Sequence, residues 1–136
     1  MRKPVSVALL AFLTLAILPG ASPAQADDPA ADPAAAGYFC LYEHDDFKGG
    51  KWCIKAAPYK AWKKDHNLSN NYWQGTSRTI NNGASSMKNG TLCAVWLYDA
   101  YSYGGYTYYG QGRSEDSDLT NNHFDNRASS LQMDCS

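Results

Sequence analysis

The chain has 136 residues, among them ten tyrosines and four tryptophans, and its 12 basic and 13 acidic side chains almost cancel. Phosphate recognition draws on clustered Lys and Arg, and the densest basic run is "KAWKK" at Lys60–Lys64, so a nucleic-acid partner is excluded. Once the N-terminal segments are set aside, about one hundred residues remain, enough for one hydrophobic core and too few for two.

Arg2 and Lys3 precede the apolar run "VSVALLAFLTLAIL" and the small residues "AQA" at Ala24–Ala26, the layout of a secretory signal peptide with cleavage expected after Ala26. The run falls short of the roughly 20 residues that span a bilayer, and no later segment is apolar enough to anchor the chain. A secreted, extracellular protein with no membrane partner is expected. "DDPAADPAAAG", residues 27–37, offers nothing to pack and reads as a disordered Ala/Pro/Asp spacer. Removal of Arg2 and Lys3 leaves ten basic against thirteen acidic residues, three negative charges net.

From Tyr38 onward helical signals are nearly absent, while aromatic runs and Gly/Asn clusters recur. "FCLYEHDDFKGGKWCIKAA" reads as a strand, a bend at Lys48–Gly50 and a returning strand. "KAWKKDHNLSNNYWQGTSRT" follows and reads as a long exposed loop. "NNGASS", Asn81–Ser86, then leads into the short strand "SSMKNG". The order repeats: "CAVWLYDAYSYGGYTYYGQG" with its bend at Gly104–Gly105, a polar stretch, and "DNRASS", Asp125–Ser130, running into "SSLQMDC". Both hairpins carry an aromatic, four residues, an aromatic, one residue and Gly: Tyr42, Phe47 and Gly49, then Tyr98, Tyr103 and Gly105. Two rings at that spacing can pack across a sharp fold while the glycine takes a positive φ. The interval from hairpin to serine segment is 39 residues from Tyr42 to Asn81 and 27 from Tyr98 to Asp125.

Four cysteines in an exported chain favour disulfides over thiol chemistry, and no C-x-x-C pair or Cys/His cluster suggests zinc. Three pairings are possible; we favour Cys40 with Cys53 across the first hairpin and Cys93 with Cys135 across the second half. His44, His66 and His123 are scattered among polar residues, with no nucleophile elbow, metal-binding helix or carboxylate pair beside them, so no enzymatic activity is expected. "YTYYG" alternates and cannot bury every ring, which leaves exposed aromatics as anchors for a protein partner or a glycan.

The doubled hairpin and serine segment resemble the βγ-crystallin superfamily over roughly Tyr38 to Cys135. The resemblance implies an all-β fold, two Greek-key motifs forming one monomeric βγ-crystallin-like β-sandwich domain over residues 38–136. Motif one would cover about 38–91 and motif two about 92–136. Ser86 and Ser130 would secure the folded hairpins. "NNGASS" and "DNRASS" also match the pattern of the family's microbial calcium-binding branch, Asn/Asp-Asn/Asp-x-x-Ser/Thr-Ser. The side-chain ligands to Ca²⁺ would then be Asn81, Ser85, Asp125 and Ser129, with backbone carbonyls from Gly83, Arg127, Glu43 and Asp99, a hard-oxygen set suited to that ion. One segment carries a carboxylate and the other only amides, so two unequal sites of weak to moderate affinity are expected.

Signal peptide, Ala-Pro spacer, "CLYEHDDFKGGKWC" and the paired Ala-Ser-Ser segments together resemble peptidase inhibitor family I36 of secreted actinobacterial type. That resemblance implies inhibition of a secreted metalloproteinase by a rigid loop filling its cleft. The long "KAWKKDHNLSNNYWQG" stretch is the one large candidate loop. The chain lacks the short clasp of two nearby cysteines in its second half that the resemblance associates with the reactive loop. The alternative is a calcium-stabilised structural or stress-related secreted domain with no protease target.

Overall fold

The computed structural model describes residues 36–136; the expected signal peptide and all but the last two spacer residues lie outside the described residues. Eight strands form among the described residues: β1 Tyr38–His44, β2 Lys48–Lys55, β3 Trp62–Asp65, β4 Ser86–Asn89, β5 Ala94–Tyr98, β6 Thr107–Gly110, β7 Ser114–Asp116 and β8 Ser130–Asp134. They make two antiparallel four-stranded sheets, β2-β1-β4-β7 and β3-β8-β5-β6. Each half of the chain lends one strand to the other's sheet, β3 crossing one way and β7 the other. Unfolding either half would therefore tear both sheets.

Alternation explains which side chains meet between the sheets. Phe39 and Leu41 of β1, Val95 and Leu97 of β5 and Leu131 and Met133 of β8 point inward and are fully buried. Phe124 and Ile80, one before each serine segment, close the core near one end. The disulfides join Cys40 to Cys53, which are directly opposed in the β1–β2 ladder, and Cys93 to Cys135.

The hairpin bends sit earlier than Gly-based reading places them. The fold is a 3-10 turn at Asp45–Phe47, with β2 already running at Lys48, and its counterpart is Tyr101–Tyr103. Asp46 and Phe47, like Ser102 and Tyr103, take positive φ despite carrying Cβ. Three contacts hold them there. Tyr42 packs edge-on against Phe47 at 5.6 Å, and Tyr98 against Tyr103 at 5.9 Å. Ser86 Oγ accepts from Phe47 N–H at 3.1 Å and donates to the His44 carbonyl at 2.6 Å. Ser130 Oγ does the same for Tyr103 N–H and the Ala100 carbonyl, at 3.0 and 2.7 Å. Gly49 and Gly105 follow at φ +75° and +79°, and a Cβ on Gly105 would collide with Asp99 Oδ1.

A buried hydroxyl that satisfies one backbone donor and one acceptor leaves both stranded when removed. Ser130→Ala is expected to cost about 2–3 kcal/mol, read as a lowered urea midpoint with unchanged slope. Ser86→Ala should behave alike. A cost below about 0.5 kcal/mol in both would show that ring packing alone holds the bends.

The stretch read as an exposed loop is largely ordered into the sandwich. Trp62–Asp65 pairs with β8 as an edge strand, Leu68–Asn70 forms a 3-10 turn with Leu68 buried, and Tyr72 and Thr79 bridge a small hairpin that buries Trp73. Its polar composition hides two apolar anchors, Leu68 and Trp73, spaced at no regular period.

Candidate functional site

The two serine segments meet at one end of the sandwich through a reciprocal set of bonds. β1 and β5 deliver Tyr42–Glu43 and Tyr98–Asp99 to this end. Ser85 N–H donates to the Tyr42 carbonyl at 2.9 Å, and Ser129 N–H to the Tyr98 carbonyl at 2.8 Å. Asn82 N–H reaches the Ala128 carbonyl and Asn126 N–H the Ala84 carbonyl, each at 2.9 Å. Ser129 Oγ further donates to Asn82 Oδ1 at 2.9 Å. These bonds bring the first loop position of each segment toward the serine of the other, Asp125 toward Ser85 and Asn81 toward Ser129. Each group draws its first loop position from one half of the chain and its serine from the other. Gly83 and Arg127 occupy the middle of the two loops.

Two oxygens in this assembly are unsatisfied. Asn81 Oδ1 and Asp125 Oδ1 are buried and accept no hydrogen bond, although Asp125 Oδ2 accepts from Asn126 Nδ2 at 2.9 Å. Ser85 and Ser129, the serines beside them, are buried too. The Asp125 side is also the more negative. Partial withdrawal from water, then the charges of Asp118, Asp125 and Asp46, raise the Asp45 carboxyl above its ordinary pKa. At the matching places on the Asn81 side stand Tyr101 and Asn67, which carry no charge. Asn67 and Asp118 otherwise do the same job, accepting at 2.9 Å from the backbone of Ser69 and Thr120 to cap their 3-10 turns.

An arginine–carboxylate pair braces each hairpin. Asp99 Oδ1 accepts from Tyr106 N–H at 2.7 Å while its Oδ2 meets Arg127 at 3.0 Å. Glu43 Oε2 accepts from Gly50 N–H at 3.0 Å, and both its oxygens face the Arg78 guanidinium, Nη2 lying 2.8 Å from Oε2. The arginines come from different places. Arg127 is the third residue of its serine segment, whereas that position in the first segment is Gly83. Trp73 of the small hairpin fills the space there, its indole close to both Gly50 and Gly83, and Arg78 from the same hairpin supplies the guanidinium. Composition and spacing carry no sign of Trp73 or Arg78; the "DD" at Asp45–Asp46 is a visible cue to extra charge.

The hydrogen bonds from Arg78 hold the Glu43 carboxyl down at about 2, against an ordinary 4.5. The unfolded chain therefore binds the proton first as acid is added. The stability contributed by this pair is complete above pH 4.5 and is lost as the pH falls toward about 2. Arg78→Ala should make stability flatter with pH across that window, which urea midpoints at several pH values would show. An unchanged slope would assign the acid sensitivity to other carboxylates.

The donors at this end are carboxylate, amide, hydroxyl and backbone oxygens, a set that suits a hard cation. Among the described residues no group of three or more His, Cys, Asp or Glu side chains could hold a metal, so a cation here would rest mainly on neutral oxygens. His44, His66 and His123 are all exposed.

The sequence model of peptidase inhibitor family I36 matches residues 27–110, more than half of the chain. The chain belongs to peptidase inhibitor family I36. No curated protein matches it. Among solved structures, a domain studied for the evolution of the eye-lens βγ-crystallin fold superposes with a TM-score of 0.59 at 21% identity, covering 73% of this chain and 86% of that one. A βγ-crystallin from an archaeon gives 0.51 at 23% identity, covering 71% and 95%. A βγ-crystallin domain from Clostridium beijerinckii gives 0.52 at 15% identity, covering 73% and 99%. At such identities these relatives establish the fold. This I36 domain is thus a two-sheet βγ-crystallin sandwich, not an enzyme, whose family implies a protease partner. Its two disulfides fit an oxidising extracellular setting.

Proposed function

We propose that this I36 domain is a secreted inhibitor of an extracellular metalloproteinase that acts by occupying the protease cleft, and that Ca²⁺ held between the serine segments stiffens the scaffold. The observation that carries the calcium reading is the pair of buried, unpartnered oxygens, Asn81 Oδ1 and Asp125 Oδ1, at the first position of each segment. A buried acceptor left without a partner costs about 1–3 kcal/mol, which a cation would offset. Ser85 and Ser129 hydroxyls and the carbonyls of Glu43, Asp99, Gly83 and Arg127 would supply the remaining ligands. The charge on Asp125, with Asp45 and Asp118 near it, favours its site over that of Asn81, so the two differ in affinity.

Family membership supports the inhibitory reading, and so does the scaffold. Two disulfides and exchanged strands hold surface loops in one conformation, which lowers the entropy lost on binding. Titrating thermolysin with the secreted chain at fixed calcium concentration tests this. Stoichiometric loss of peptidase activity is expected. No inhibition at micromolar domain would leave a calcium-stabilised secreted domain with no protease target.

A further inference from the structure

β1 runs from Tyr38 toward the serine segments, β4 leaves them at Ser86 and β5 returns to them at Tyr98. The β4–β5 connection, Gly90–Cys93, therefore turns at the opposite end of the sandwich. Resting on the inhibitor reading above, we propose that this connection is the inhibitory element, with Leu92 as the side chain that enters the apolar specificity pocket of the target endopeptidase.

Leu92 is 79% exposed and Tyr59 80%, the two most exposed large apolar side chains among the described residues. Both border one concave surface of about 870 Å³, together with Ala57, Lys88, Arg113 and Glu115. A solvated leucine at the tip of a turn forgoes the burial that ordinarily stabilises it. The residues on either side, Thr91 and Cys93, are by contrast buried.

The turn is clamped from behind. Asn89, 1% exposed, donates through Nδ2 to the carbonyls of Cys93 at 2.9 Å, Gln111 at 3.0 Å and Gly110 at 3.3 Å. Its Oδ1 accepts from Thr91 N–H at 3.1 Å and Thr91 Oγ1 at 2.7 Å, and Thr91 Oγ1 accepts from Cys93 N–H at 3.0 Å. The Cys93–Cys135 bridge fixes the residue next to Leu92. One apolar side chain is thus displayed on a backbone with little freedom left to lose, the condition under which a loop binds tightly. The small hairpin at Tyr72–Thr79 displays less, because its Trp73 faces inward and its Tyr72 is 51% exposed against 79% for Leu92.

The same geometry guards the loop against cleavage. The Thr91 carbonyl accepts from Arg113 N–H at 2.8 Å. The Leu92 carbonyl rests on Gly112, where a Cβ would stand 2.7 Å from its oxygen. Both carbonyls flanking Leu92 face the domain, so a protease that seats the side chain finds neither acyl carbon open to attack.

The test titrates thermolysin and subtilisin with the secreted, disulfide-bonded chain and with Leu92→Glu, Leu92→Met and Tyr59→Ala. A central anchor lost from an interface weakens binding by roughly 100-fold, so Leu92→Glu should raise the inhibition constant by about that factor. Leu92→Met should stay within about threefold and Tyr59→Ala should fall between them. Mass spectrometry after prolonged incubation should find the Thr91–Leu92 and Leu92–Cys93 bonds intact. The calcium-dependent rise in unfolding temperature should be the same in Leu92→Glu as in the parent, which shows that the two ends act separately. If the parent inhibits and Leu92→Glu inhibits equally well, the proposal falls while the inhibitor reading stands. If the parent inhibits neither protease, both fall. A parent dimer that Leu92→Glu converts to monomer without change in inhibition would assign the surface to a second copy of the chain and overturn the proposal.

Discussion

Replacing Cys93 and Cys135 together by serine should lower the unfolding temperature by about 20 °C, and replacing Cys40 and Cys53 should lower it by less. The bridges close loops of different length, with sequence separations of 42 and 13 residues. On the chain-entropy view these restrict the unfolded state by about 4 and about 3 kcal/mol. A domain of this size has about 5–15 kcal/mol in total, so the longer bridge is a large share of it. Placement adds to the difference. Cys40 and Cys53 already face each other in a ladder that the hairpin makes local, whereas Cys93 precedes β5 and Cys135 follows β8, fastening two strands far apart in the chain. Thermal unfolding by circular dichroism without reductant would measure both. Equal losses, or a larger loss for the shorter bridge, would contradict the ranking.

Asn81→Ala and Asp125→Ala should change sign with calcium. In chelator each change removes a buried oxygen that has no partner, so stability should hold or rise, by up to about 1–3 kcal/mol. With calcium at one hundred times the dissociation constant, a site contributes about 2.7 kcal/mol, equivalent to about 10–20 °C for a domain of this length. The same substitutions should then destabilise, Asp125→Ala more than Asn81→Ala because only Asp125 brings a charge. Asp125→Asn keeps the shape and should retain part of the effect. Scanning calorimetry of each variant in calcium and in chelator reads the difference. Losses that are equal under both conditions would mean that these side chains support the loops in some way unrelated to a cation.

Much of the fold could be read from spacing because its main device is local and repeated. The Tyr42–Phe47 and Tyr98–Tyr103 pairs stand where the doubled pattern places them, and Ser86 and Ser130 pin the bends as the resemblance implies. The bend itself lies before Gly49 and Gly105, the glycines that signal it in the sequence. The strained turn instead uses Asp46, Phe47, Ser102 and Tyr103, held at positive φ by ring packing and a serine far along the chain. The exchange of β3 and β7 between sheets has no local signature. Edge strands such as Trp62–Asp65 bury little and alternate weakly, so "KAWKKD" looks like any polar loop. The candidate oxygens of the serine segments could be proposed from the resemblance that the repeated six letters carry. Their braces could not, because Trp73 and Arg78 reach Gly83 and Glu43 only through the fold. Leu92 was equally hidden, being one leucine among four polar or small neighbours until the burial of Asn89, Thr91 and Cys93 sets it apart.

Isothermal titration of Ca²⁺ into the chelator-stripped domain tests the central assignment most directly. Two binding steps of unequal affinity are predicted, the tighter abolished by Asp125→Ala and the weaker by Asn81→Ala. Absence of heat with no calcium-dependent change in unfolding temperature, or binding that survives both substitutions, would contradict it.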